Sequence, residues 1–149
     1  MNFLAGKGFL KKDINEYKKS LHKLWFEPNA KAGDYSVVGT SGFEVVFITE
    51  KDDAPYNWIH ASQMEEQNKN LQLQNLKWNT VLETAHGFKV TLVGFDSMVF
   101  GSREISDVYL LVGTSPELEM AIYTVCFYVR PNSDCSVSFG KVNLTIHIS

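Results

Sequence analysis

Residues 113–117, Gly-Thr-Ser-Pro-Glu, constrain the chain more than any other stretch, because they predict where a helix starts. Ser115 suits the N-cap, where its hydroxyl can accept from a free backbone N–H. Pro116 suits the first helical position, which needs no N–H. Glu117 and Glu119 favour the positive end of the helix. This helix stands between β-rich runs. Phe88 to Phe95 and Val108 to Val112 precede it, and Val137/Phe139 with Val142/Leu144/Ile146/Ile148 follow it. The last two runs alternate on either side of Gly140-Lys141, which predicts a hairpin. Strands joined by short turns pair antiparallel. The predicted class is therefore α+β, with mainly antiparallel sheets and two or three helices.

Further helix signals lie upstream. Asp13 with Glu16 three residues later forms a capping-box pattern. Ile14, Tyr17, Leu21, Leu24 and Trp25 then recur at spacings of three and four, which predicts one core-facing stripe. Pro28-Asn29 ends the helix. In the stretch SGFEVVFITE (41–50), Phe43, Val45 and Phe47 alternate with Glu44, Val46 and Ile48, which predicts a strand with both faces partly covered. Residues 51–55 predict a turn, and Tyr56 to Glu66 a short helix with Trp58, Ile59 and Ser62 inward. Leu71 and Leu73, alternating with Gln72 and Gln74, predict an exposed strand inside a Gln/Asn-rich tract. In the helix after Ser115, Leu118, Ala121, Ile122 and Val125 predict the buried stripe.

A chain of 149 residues suits one compact domain, and 44% hydrophobic with 21% charged residues allows a packed core. The net charge of −3 argues against gripping nucleic acid by bulk charge. The charge is uneven: residues 1–33 hold seven Lys against three acids. Such a segment can meet an anionic partner, although a solvated helix face is the simpler reading. No apolar run approaches the roughly 20 residues of a membrane helix, and MNFLAGKGFLKK is too short and Lys-interrupted for a signal peptide. Cys126 and Cys135 are close enough in sequence for a bridge across a turn. With nothing else pointing to secretion, two free thiols in an intracellular, reducing compartment are expected.

Four stretches, GFEVVFITE, YNWI, LVGTSPELEMAIYTVCFYVRP and KSLHKLWFE, resemble successive motifs of the EndoU (poly(U)-specific endoribonuclease) family. The block at 115–127 is the most specific of them. The likeness runs over most of residues 2–149, loosely between 63 and 110, and implies a single EndoU-like domain over 1–149, shortened at both ends relative to the family. It also implies that the basic start is the family's lead-in to its helix. The family is understood to cleave RNA at uridines with two His and a Lys. A base takes the ribose 2′-hydroxyl proton, an acid protonates the leaving oxygen, and a cation steadies the phosphorane.

Carried over by position, those side chains are replaced. The first His position holds Val45, the second Tyr56, and the Lys position aligns with Arg103. The nearby Ser/Thr position linked to uracil choice holds Asp107, while the two family acids match as Glu44 and Glu50. The resemblance places Arg103 near Val45 and Tyr56 in space. Arg103, Asp107, Glu44, Glu50 and Ser115 remain as binding candidates. His60 lies four residues after Tyr56, so on a continuous helix it shares that face and is the one substitute base to consider. The reading that follows is a degenerate EndoU-like domain that binds RNA or protein, without cofactor or metal. The alternative is an active uridine-preferring nuclease using His60 and a divalent metal. A third reading is a structural subunit that pairs a sheet edge with a neighbour.

Overall fold

The computed structural model describes residues 2–28, 39, 41–48, 57–67, 71–83, 87, 89–139 and 142–148. Within them the chain is α+β: helix α1 (Asn2–Gly6), α2 (Ile14–Phe26), a π-helical turn (Glu44–Ile48), α3 (Trp58–Glu66), strands β1 (Leu71–Glu83), β2 (Lys89–Phe100) and β3 (Arg103–Val112), α4 (Pro116–Val129), β4 (Ser133–Phe139) and β5 (Val142–Ile148). Two antiparallel strand pairings join β1–β2–β3 in one sheet, and β4–β5 form a second. The expected count of two or three helices missed α1 and the π-helical turn. The chain divides into two compact units, one of Met1–Phe43, Ser115–Ser138 and Asn143–Ser149, the other of Glu44–Thr114 and Phe139–Val142.

In the first unit, α1 is stopped by a Schellman motif. Phe9 N–H donates to Leu4 O (2.9 Å) and Gly8 N–H to Ala5 O (3.1 Å), with Gly8 at φ +80°. That left-handed backbone is what a glycine supplies at a helix end. Leu4 is fully buried and anchors the segment. Asp13 then caps α2, its carboxylate accepting from Asn15 N–H (2.8 Å) and Glu16 N–H (3.0 Å). The α2 stripe is buried at Tyr17 and Trp25 and half-buried at Leu21 and Leu24, while Ile14 stands exposed against expectation. Trp25 Nε1–H donates to Thr124 Oγ1 at 2.8 Å inside the core. Gly42 lies so close to α2 that a Cβ there would meet Leu24 O at 2.9 Å, and Phe43 packs on Phe26 with centroids 5.5 Å apart. The Gly-Phe of the SGFEVVFITE stretch is thus a packing device.

Ser115 caps α4 as the sequence predicts, accepting from Leu118 N–H at 3.3 Å, with Pro116 in the first turn. The phase of α4 differs from the prediction. Leu118 and Ala121 are exposed, Ile122 and Val125 half-buried, and Glu119, Thr124 and Cys126 are the buried positions. Specific partners override the apolar pattern here: Thr124 takes the Trp25 indole, and Cys126 is bonded to Cys135 of β4. That disulfide, with Cα atoms 5.6 Å apart, corrects the expectation of free thiols. The turn Pro131-Asn132 brings β4 back along α4, and this is what sets the two sulfurs side by side.

In the second unit, Ala61 of α3 packs with Met98, Val108 and Leu110, flanked by Leu71, Leu73, Phe95 and Ile105. Met98 and Phe95 lie three apart, as do Ile105 and Val108, which an unbroken strand would send to opposite faces. A crease across the sheet resolves this. Both outer strands adopt left-handed backbone at the same level, at Asn75 (φ 50°) and Asp107 (φ 55°), beside Asp96 of the middle strand. Asn and Asp are the side chains that tolerate that conformation best. The ladder also slips at Lys77, between Leu76↔Phe95 and Trp78↔Gly94.

Candidate functional site

Val45 sits in a π-helical turn and not in the predicted strand. The alternation of 43–48 was real but the run is short. Gly42-Phe43, already helical and docked on α2, leads directly into a helical Glu44–Ile48. A π turn is a rare form that recurs at functional sites. Here it displays apolar surface, because Val45 is 42% exposed and Ile48 is exposed beside it. The turn bears on α3, and α3 bears on β1 and β3. Arg103 opens β3, paired with Phe100 across the hairpin. The π turn and β3 thus both touch α3, which meets β3 through Ala61 against Val108 and Leu110. Tyr56 and Glu50 lie outside the described residues, as do the 51–55 turn and the Gly140-Lys141 turn.

The helix expected over 56–66 begins at Trp58, with Asn57 as an extended N-cap (φ −131°, ψ 144°) accepting from Ile59 N–H at 2.8 Å. Tyr56, the other residue of the shared-face expectation with His60, lies outside the described residues. His60 is 8% exposed, buried with Ala61 and Met64, while Trp58, Ile59 and Ser62 are half-buried. The face prediction for this helix is corrected accordingly. Trp58 Nε1–H donates to Thr114 O (2.9 Å), and Thr114 Oγ1 donates to Leu111 O (3.0 Å). The Asn-Trp of the YNWI stretch thus caps α3 and pins it to the end of β3.

Asp107 occupies the crease, and its carboxylate contacts Lys77 Nζ. The hydrogen bond from Lys77 to Asp107, helped by the charges of Asp107, Tyr109 and Asp96, holds the Lys77 ammonium above the usual lysine range. Lys77, a bulged strand residue, was invisible to motif reading, since only the ladder register brings residues 77 and 107 together. Glu44 begins the π turn and is exposed. Ser115 is the α4 cap, and Glu117 beside it is held below the usual carboxylate range, first by its own backbone N–H and then by the Ser115 hydroxyl. Among the described residues no three His, Cys, Asp or Glu side chains cluster as metal ligands, and no helix is long and apolar enough to cross a membrane.

The endoribonuclease XendoU family model matches residues 1–149. The uridylate-specific endoribonuclease EndoU of Drosophila melanogaster is 27% identical over 161 residues, covering 98% of this chain and 45% of its own. Uridylate-specific endoribonuclease B of Danio rerio is 29% identical, covering 97% of this chain and 51% of its own. A solved XendoU, described as a splicing-independent snoRNA processing endoribonuclease, shares the fold with a TM-score of 0.73 at 21% identity, over 97% of this chain and 54% of that one. The chain spans about half the length of these relatives.

Proposed function

Because this chain belongs to the endoribonuclease XendoU family, we propose that it is a cleavage-deficient member, one EndoU-like domain over residues 1–149 that works by binding RNA. The observation that carries this reading is Val45. At the position where the family resemblance expects a His, the exposed π turn offers a hydrocarbon side chain that can neither take nor give a proton. Tyr56, at the second position, is a poor base near neutrality, since an unperturbed phenol titrates near pH 10. Arg103 supplies a cation for phosphate, as the family's Lys would, and Glu44, Glu50 and Asp107 supply acceptors for ribose and base. The names of the relatives favour a uridine-bearing strand as the ligand. His60 is a weak substitute, because its buried place in α3 keeps its imidazole from a strand in solvent. Pairing along the edges of the three-stranded sheet is disfavoured as well, since left-handed residues interrupt both of its outer strands at one level.

The test is incubation with a uridine-containing oligonucleotide, with and without a divalent metal, read as 2′,3′-cyclic phosphate ends. The expected result is no cleavage, because losing a general acid and a general base forfeits about 10²–10⁴-fold each. A Val45→His/Tyr56→His/Arg103→Lys variant is expected to gain weak uridine-biased cleavage. Wild-type cleavage equal to that of the variant defeats the proposal, and its abolition by His60→Ala would install the active-nuclease reading instead. Absence of RNA binding by both proteins would move the function to protein contacts.

A further inference from the structure

The family positions Val45, Tyr56 and Arg103 all fall in the Glu44–Thr114 unit. A different surface, wholly within the other unit, carries features that no catalytic argument uses. Lys7, Lys11, Lys12, Lys18 and Lys23 are exposed, and none of the five forms an ion pair among the described residues. The nearby acids are committed elsewhere: Asp13 caps α2, Glu16 meets Lys19 at 3.5 Å, and Glu27 meets His22 at 3.5 Å. Three of these lysines fall within six residues, a reach of at most about 20 Å along the chain. Apolar side chains stand out among them, Phe3 at 55%, Phe9 at 43% and Ile14 at 63% exposure.

This display is held in place. Leu4 is fully buried, the Schellman motif fixes Gly8 and Phe9, and the Asp13 cap fixes the start of α2. We infer that α1, the 7–12 connector and the start of α2 form a second, sequence-tolerant binding surface for single-stranded nucleic acid, lysines meeting phosphates and Phe3 and Phe9 stacking on bases. Residues 34–149 carry fourteen acids against seven basic residues, whereas residues 1–33, which include this segment, carry seven lysines against three acids, so a polyanion is drawn to this end of the sequence. Aromatic faces among unpaired cations match the way single strands are gripped without base readout. An acidic peptide would use the lysines but leave the aromatic rings without a role. A lipid surface is met by an amphipathic helix that turns its apolar face outward, whereas α1 has five residues and its Leu4 is fully buried.

The test is fluorescence anisotropy with labelled oligoadenylate and oligouridylate of about 20 nucleotides, from about 50 to 200 mM salt. Oligoadenylate is expected to bind through this surface, and any excess affinity for oligouridylate, which belongs to the other unit, is expected to survive the substitutions below. A Lys7→Gln/Lys11→Gln/Lys12→Gln variant should weaken binding at least about tenfold and reduce the salt slope by about 2, at about 0.7 per phosphate contact on a single strand. Phe3→Ala/Phe9→Ala should weaken binding about tenfold with the slope unchanged. Acetylation of the unaltered protein gives a reading free of folding effects: Lys7, Lys11 and Lys12 should be protected by oligoadenylate. Unprotected lysines, a lysine variant with wild-type affinity, or wild-type protein that ignores oligoadenylate overturns the inference. So does lysine-dependent capture by phosphatidylserine vesicles without oligonucleotide binding. Cleavage enters none of these readouts, so the inference and the proposed loss of catalysis fail separately.

Discussion

Reducing the Cys126–Cys135 bond should destabilise the protein by an amount that the loop length sets. The bond joins the C-terminal half of α4 to β4 across a sequence separation of 9. A closed loop of about ten residues removes about 9 cal/mol/K of entropy from the unfolded chain, or about 2.7 kcal/mol at 25 °C. At about 2–4 °C per kcal/mol for a domain of this size, Tm should fall by about 5–10 °C. Cys126 is fully buried, so Cys126→Ala/Cys135→Ala adds a packing loss and should fall at least as far. The assay is thermal unfolding by circular dichroism with and without reductant, beside a thiol titration of unfolded, unreduced protein. The bond predicts no titratable thiol without reductant. Two thiols, or a Tm that does not respond to reductant, would refute the reasoning and restore the reducing-compartment reading.

Removing the Trp25 donor by Trp25→Phe strands a buried Thr124 hydroxyl, and should cost about 1–3 kcal/mol in urea unfolding. Ser115→Ala should cost about 1 kcal/mol through loss of the α4 cap, measured the same way. Burial, then the neighbouring Glu119, raises the Tyr123 phenol above its ordinary range. The folded state therefore holds that proton more tightly than the unfolded one, and its stabilisation is complete below about pH 10 and declines as pH climbs beyond. Tyr123→Phe should flatten the loss of stability above about pH 10, and an unchanged alkaline slope would contradict it.

Local chemistry made much of this molecule legible from sequence. Asp13 and Ser115 were readable as caps because capping needs only a side-chain oxygen two or three residues from a free N–H. β4 and β5 were readable from alternation, parts of the three long strands from the Leu71–Gln74 alternation and the β-rich runs at 88–95 and 108–112, and the four family stretches from their order along the chain. Most of what failed depended on distant partners. Residues 43–48 alternate like a strand, but Gly42 and Phe43 are already helical and the turn at Glu44–Ile48 continues them. The apolar stripe of α4 was displaced because Trp25, ninety-nine residues away, claims Thr124. The Cys126–Cys135 bond needed β4 to fold back on α4, and the Lys77–Asp107 contact needed the ladder register. At the candidate site, the sequence alone supplied the identities of Val45, Tyr56 and Arg103. Only tertiary packing decided that His60 is buried and that Val45 faces solvent, because burial is set by which elements meet and not by what any residue prefers.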